Sequence, residues 1–384
     1  MTKLIIALLI ISQIILLPTI SFRWIKELSA QIFILIALCF LIWRRNKFIS
    51  LFVGWNIFLF FVFKSYLIND FNQTVTYNLN VIALLNLINI VLYGFFYYIL
   101  HEIKLDKDLI YKTFCFIAIF EAIYVILQYL QLDQFFYNFS FTHHFRDGSK
   151  VEKHLCWPVG TLANEALMSW LLAMLSPFFL AYKELRYKIG YFIVGTAIIC
   201  TKVSVGIAGF ILGFLFWLFF KNRKLAILFI ILVLIGSVFL VLNKNFEYYL
   251  SDTHRFLVWK KTLSIWKDMN AEITGCGLGS FRILFWQKAP EFRTDGQWSQ
   301  VHNEYLQVLF EQGIIGLGII LGLMWFGFYN FWKKREKRVG LIPITSLFIF
   351  SLVALLGFPM RTSMGIIPIM SLVLFEKELN GTSV

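Results

Sequence analysis

The sequence predicts an all-α polytopic membrane protein, and three observations carry that prediction. Hydrophobic residues make up 59% of the 384 and charged residues 15%, with Phe alone at 43 positions, which leaves too little polar surface to clothe a water-soluble fold. Apolar runs close to the roughly 20 residues that a helix needs to cross a bilayer recur from end to end, and continuous runs of that kind satisfy their backbone as helices. The basic residues behind the net charge of +13 lie in the short breaks between runs, the positive-inside arrangement, so the charge implies no nucleic-acid partner.

Taken in order, the apolar segments fall at 3–20, 28–43, 48–68, 79–100, 109–131, 158–182, 187–202, 203–220, 224–243, 311–332, 339–358 and 362–376, about twelve spans. The first has Lys3 ahead of an apolar run from Leu4 to Leu17, as a signal peptide would. Only Pro18-Thr19-Ile20-Ser21-Phe22-Arg23 follows, with no small-x-small cleavage site, so it reads as a span. The clusters Arg44-Arg45-Asn46-Lys47, Lys104 to Lys107, Lys183 to Lys188, Lys221 to Lys224 and Lys333 to Arg338 fall on alternate connections and are assigned to the cytoplasm, as are both termini. The opposite set comprises Ile68 to Asn78, about Leu132 to Trp157, and the longest, about Lys244 to Val301. The chain thus reads as one integral membrane domain over 1–384, with 244–301 a large external loop holding interfacial helices ahead of the last three spans.

That topology brings Lys202, Arg255 and His302 to one external face, where charge at the membrane boundary points to function; snorkelling to water is the plain alternative for Lys202. In His254 to Asn270, Arg255, Trp259, Thr262 and Trp266 recur at helical spacing, which suits a helix lying in the interface with tryptophans at headgroup level. Arg255, near its start, has a planar fork matched to phosphate oxygens. In Gly275-Cys276-Gly277-Leu278-Gly279-Ser280-Phe281, alternate glycines permit either amide approach to an anion or a tight turn away from the helix. From His302 onward a helix places Asn303, Gln307 and Glu311 in one polar stripe, and Gly318 to Gly322 is a small-residue step suited to helix packing.

Metal and nucleotide chemistry have no motif here. His143, His144 and His154 lack zinc-ligand spacing, and no GxxxxGK[ST] loop occurs, so neither metal nor cofactor is expected. Cys39, Cys115 and Cys200 lie in apolar runs. Cys156 and Cys276 both fall in external loops, where a disulfide between them is chemically possible.

Several of these pieces, in this order, resemble the O-antigen ligase and polymerase superfamily of bacterial envelope glycosyltransferases. They are Arg255 with Trp259, Gly275-x-Gly277-x-Gly279-Ser280-Phe281, His302-Asn303 with Tyr305-Leu306, and Glu311-x-Gly313-Ile314-x-Gly316. Gly160-Thr161-Leu162-Ala163-Asn164-Glu165 is similar to the family's glycine-threonine to asparagine segment, with Ala166 where a second asparagine is usual. Lys202 stands near the family's serine-arginine pair, and Phe358-Pro359-Met360-Arg361 where the family has a proline-containing external turn.

The resemblance implies transfer of a glycan from an undecaprenyl-diphosphate carrier to an acceptor hydroxyl at the periplasmic face of the inner membrane, without a metal. Arg255 would neutralise the departing diphosphate, with Lys202, Arg282 and Arg293 assisting and Asn303, Gly277 and Gly279 binding substrate. His302 would take the acceptor proton, with Glu165, Glu304, Glu311 and Asn164 as auxiliary groups. The acceptor is lipid A-core for a ligase, another lipid-linked repeat unit for a polymerase, or a protein side chain for an O-oligosaccharyltransferase. A lipid-linked-glycan flippase is the reading of a different class, and the chain lacks the internal repeat and midplane charges that such a transporter would show.

Overall fold

A computed structural model of the protein describes residues 107–133, 140–144, 150–154, 158–162, 164–231, 253–277, 279–295, 298, 300–334, 340–361 and 366–379. The expected spans at 3–20, 28–43, 48–68 and 79–100, most of 224–243, and Cys39 and Cys156 lie outside these residues. The helices are α1 Lys107–Tyr129, α2 Glu165–Leu175, α3 Leu185–Cys200, α4 Ser204–Lys221, α5 Thr253–Asp268, α6 Phe281–Lys288, α7 Glu304–Lys334, α8 Leu341–Leu356 and α9 Ile366–Leu379. A further helix begins at 223. One antiparallel hairpin, β1 Ser140–His144 with β2 Lys150–His154, departs from the all-α expectation. Its register sets His143 opposite Val151 and His154 opposite Ser140.

Among the described residues, α1, α4 and Glu304–Lys333 of α7 are long and apolar enough to cross a membrane, while Glu165–Ala181 and Leu341–Leu356 are shorter apolar stretches. The run expected as one span over 158–182 is divided into a 3-10 turn at Gly160–Leu162, α2, and a second 3-10 turn at Ser176–Ala181. Pro177 enters at the start of that last turn, where its missing N–H ends the α-helical ladder. α8 packs against α2, α4, α7 and α9, which makes it the centre of the bundle. Its Phe350, with Phe114, Phe178 and Leu171, belongs to one large apolar core. On the outside, Phe192 is 73% exposed and Trp325 69%, a surface that water would penalise and a lipid tail would not.

A second apolar core lies at one end of the bundle. Val258, Ile265 and Trp266 of α5, Phe281 and Phe285 of α6, Trp298 and Val301 of the segment before α7, and Phe310 of α7 belong to it. α5 therefore folds against α6 and α7, with Trp266 buried and Trp259 half-buried against this core. The Trp259 indole N–H donates to the Val301 carbonyl (2.9 Å) and that of Trp266 to the Ala271 carbonyl (2.9 Å).

The two cores are joined at a break in α7. Gly313 has φ 66° and ψ −166°, which no α-helix accommodates. In an unbroken helix the Ile314 N–H would reach the Phe310 carbonyl and the Ile315 N–H that of Glu311. Instead Ile314 donates to the Glu272 carbonyl (2.9 Å) and Ile315 to that of Ile273 (3.4 Å), while the Cys276 and Gly277 amides donate to the Phe310 (2.8 Å) and Glu311 (2.9 Å) carbonyls. The turn at 272–277 thus completes both halves of the broken helix. Backbones approach so closely that a Cβ on Gly313 would collide with the Ile273 carbonyl, and one on Gly275 with the Glu311–Gln312 peptide.

By contrast, a Cβ at Gly318 or Gly322 meets nothing within 4 Å among the described residues, so the expected small-residue step has no described helix against it. Gly313→Ala should lower the thermal midpoint of the detergent-solubilised protein by the equivalent of at least about 1–3 kcal/mol for the strained φ alone. Gly318→Ala should leave that midpoint unchanged or slightly higher, and matched midpoints for the two variants would contradict this role of the break.

Candidate functional site

The C-terminal ends of α1, α3 and α8 meet the N-terminal ends of α2, α4 and α7 at the same end of the bundle. Gly357, just past α8, lies where a Cβ would strike the Trp170 ring of α2, and Trp170 meets Phe358 edge to face at 5.6 Å. The Tyr305 hydroxyl at the start of α7 donates to the Ser351 carbonyl of α8 (3.1 Å). Lys183 to Lys188 and Lys221 to Lys224 occur at the other ends of α3 and α4, as the charge pattern requires.

His302 and Arg255, about fifty residues apart in sequence, both reach the segment Leu356 to Met360. The Arg255 guanidinium donates to the Leu356 carbonyl (3.2 Å), a last-turn carbonyl of α8 that has no partner within its own helix. The His302 ring meets Phe358 at 5.1 Å and Trp298 at 5.5 Å, both near perpendicular, so an edge-to-face row runs Trp170, Phe358, His302, Trp298. Trp170 and Trp298 had no signal in the sequence, and Phe358 had one only as part of the proline-containing turn, since their contacts come from packing between separate elements. His302 has φ 57°, in the left-handed region that non-glycine residues seldom occupy.

Asn303 caps α7, its side-chain oxygen accepting from the Leu306 N–H (3.0 Å). Glu304 is buried, 2% exposed, and accepts from the Met360 N–H (3.1 Å), which pins the Phe358–Arg361 turn to the base of the histidine helix. The polar stripe of α7 faces inward: Gln307 and Glu311 are 2% and 1% exposed, with the Gln307 amide N–H donating to Glu311 Oε1 (3.1 Å).

Gly277 and Gly279 both have positive φ, 102° and 76°, and shape the turn, and the Gly277 amide is engaged by the Glu311 carbonyl. Cys276 beside them is a free thiol whose pKa is raised, first by burial and then by the Glu311 carboxylate. Arg282 sits in the first turn of α6, and Arg293 in the 3-10 turn Pro290–Asp295. That turn is tied to α5 by a Lys261–Glu291 ion pair (2.9 Å), and the Lys261 ammonium holds the Glu291 carboxyl below its usual range.

Lys202 connects α3 to α4 in a left-handed conformation, φ 58°, exposed, with Nζ 5.8 Å from the Tyr129 ring centroid at the end of α1. Asn164 caps α2 by accepting from the Leu167 N–H (2.9 Å), and Glu165 follows in the first turn. What holds this entrance is a buried carboxylate in α1 that spacing did not single out. Glu121, fully buried, accepts from the Thr161 N–H (3.0 Å) and hydroxyl, while Gln128 Oε1 accepts from the Val159 (3.0 Å) and Gly160 (2.7 Å) amides. Among the described residues no three His, Cys, Asp or Glu side chains group as metal ligands.

Residues 189–321 match the family model described as O-antigen ligase, an interval that runs from α3 through the break in α7 and contains Lys202, Arg255, the glycine turn and His302. That match supports placing the domain in the O-antigen ligase/polymerase superfamily. No curated protein matches the chain. The match points to an O-antigen ligase-like role in envelope polysaccharide, and together with three helices among the described residues that are long and apolar enough to cross a membrane it points to a bacterial membrane protein. Of the motif pieces of that domain, the glycine turn and Glu311–Gly313 meet at the α7 break, while Arg255 and His302 meet the segment Leu356 to Met360. Gly160-Thr161 lies before the matched interval, yet it belongs to the same end of the bundle through Glu121. Thr161→Val, which deletes the hydroxyl bond to that buried carboxylate, should cost about 1.5–3 kcal/mol of stability, readable as a lowered thermal midpoint.

Proposed function

We propose that this protein is a metal-independent glycosyltransferase that moves a glycan from an undecaprenyl-diphosphate carrier to an acceptor hydroxyl at the periplasmic face of the inner membrane. The observation that carries the proposal is the convergence of Arg255 and His302 on the Leu356–Met360 segment, inside the superfamily domain. His302 takes the proton of the acceptor hydroxyl as its oxygen attacks the anomeric carbon. The bond from that carbon to the diphosphate oxygen breaks, and undecaprenyl diphosphate leaves with its growing charge met by the Arg255 guanidinium. The diphosphate is already a weak base, so it needs neutralisation rather than protonation. Lys202, Arg282 and Arg293 supply further positive charge on the same side of the bundle, and Glu165, Asn164 and Asn303 are polar groups of the entrance.

Lipid A-core or another lipid-linked repeat unit is the proposed acceptor, with a protein side chain as the alternative. An envelope-glycan gel of a deletion strain separates these. Loss of long chains with one repeat still on core indicates polymerase action, long chains retained on the carrier indicate ligation, and an unchanged ladder with a missing glycoprotein indicates protein glycosylation.

His302→Ala and Arg255→Ala should each abolish transfer while leaving membrane insertion intact. Near-normal transfer by both purified variants would sink the assignment. Arg255→Lys should also be severely impaired, because an ammonium cannot grip two oxygens at once, and full activity in that variant would reduce Arg255 to a simple charge.

A further inference from the structure

Val301, the residue before His302, is held through both of its flanking peptides. On one side the Val301 N–H donates to Gln307 Oε1 (3.0 Å), and on the other the Val301 carbonyl accepts from the Trp259 indole N–H (2.9 Å). The orientation of the Gln307 amide is dictated by the backbone: the Val301 N–H can only donate, so the Gln307 carbonyl must face it and the NH₂ is left to face Glu311 Oε1 (3.1 Å). On the Gln307 side the clamp is desolvated. Val301 is 0% exposed, Gln307 2% and Glu311 1%. The Glu311 backbone carbonyl in turn accepts from Gly277 (2.9 Å), so the chain of contacts runs from the glycine turn through Glu311 and Gln307 to the peptide of Val301.

Immediately after that peptide comes the left-handed φ of 57° at His302. A non-glycine residue persists there only when its surroundings over-determine it, and such strain collects where a side chain must be aimed. Without the clamp, relaxation of His302 towards an ordinary φ would swing the imidazole out of its place between Trp298 and Phe358.

We infer that Gln307 is a positioning residue for His302, its NH₂ engaged by Glu311 and its hold on Val301 opposed by Trp259. The inference rests on the reading of His302 as the group that takes the acceptor proton. Neither Gln307 nor Trp259 touches the reacting atoms in this assignment; they fix where the imidazole stands when the acceptor arrives.

The test uses purified full-length protein titrated with undecaprenyl-diphosphate-linked glycan at a saturating amount of envelope-glycan acceptor, with release of undecaprenyl diphosphate as the readout. Gln307→Glu sets two carboxylates against each other, and kcat should fall by about 10²-fold, the loss typical of a reacting group displaced by about 1 Å. KM for the donor should stay within a factor of about two, since uniform binding is untouched.

The exchange Gln307→Glu with Glu311→Gln restores the complementarity with donor and acceptor reversed, the new carboxylate accepting from both the Val301 N–H and the new amide. It should recover most of the lost kcat. Trp259→Phe, which keeps the ring and deletes the N–H, provides an independent variant should Gln307→Glu fail to fold, and it should lower kcat with the same unchanged KM. Undiminished kcat in Gln307→Glu, an exchange variant no better than the single one, or an unaffected Trp259→Phe would overturn the positioning role. His302→Ala run in parallel separates the two levels. If it is inactive while the Gln307 variants are normal, only the clamp is refuted; if it is active, the reading of His302 falls and the clamp with it.

Discussion

The break at Gly313 and the turn that fills it are the constraint on which the rest of this end of the molecule depends. Four backbone hydrogen bonds cross between Glu272–Gly277 and the two halves of α7, replacing two that the helix gives up. Leaving those groups unpaired in a dry interior would cost about 1–3 kcal/mol each, so the turn and the break exist only together. Because the bonds are main chain to main chain, the approach tolerates no side chain at either Gly275 or Gly313. The consequence is mechanical. A helix that begins in the outer core and ends among apolar helices changes direction once, at a fixed point, and presents its first turn to α8 and α5.

Buried polar groups then do in detail what the break does in outline. Glu121, Glu304 and Glu311 are each 0–2% exposed. Each accepts from another segment or the next helical turn: Thr161, Met360 and Gln307 respectively. A carboxylate in such surroundings is tolerated when its oxygens are occupied, and here the occupation ties loops to helices. Glu121 seats the entrance to α2, Glu304 seats the turn after α8, and Glu311 engages the amide that holds the peptide ahead of His302. Arg255 works in the same manner from the other direction by closing the end of α8. The groups assigned to chemistry and the groups that build their support thus share one small network.

Much of this was legible beforehand. Helical spans, the alternation of basic breaks, the side of the bundle on which Lys202, Arg255 and His302 fall, and the family of the domain all follow from composition, run length and motif order. Helical spacing identifies the face that carries Trp259 and Trp266 without saying what covers it; α6 and Val301 do. The glycine turn left two readings open, and the close approach of Gly275 to Gln312 favours backbone docking as its structural role. The 158–182 run lost its helical continuity at Pro177, a local effect that hydropathy alone does not register.

By itself, then, the sequence determined a helical membrane protein with a domain at 189–321 that matches the O-antigen ligase family, because hydropathy, charge alternation and a dispersed motif are properties of residues in order. Only the tertiary structure decided what those residues do to one another. That Arg255 and His302 reach the same five-residue segment, that Gln307 faces Val301 rather than solvent, and that a Glu in α1 holds Thr161 40 residues later all require distances between elements distant in sequence. Packing sets those distances, and no local pattern encodes them.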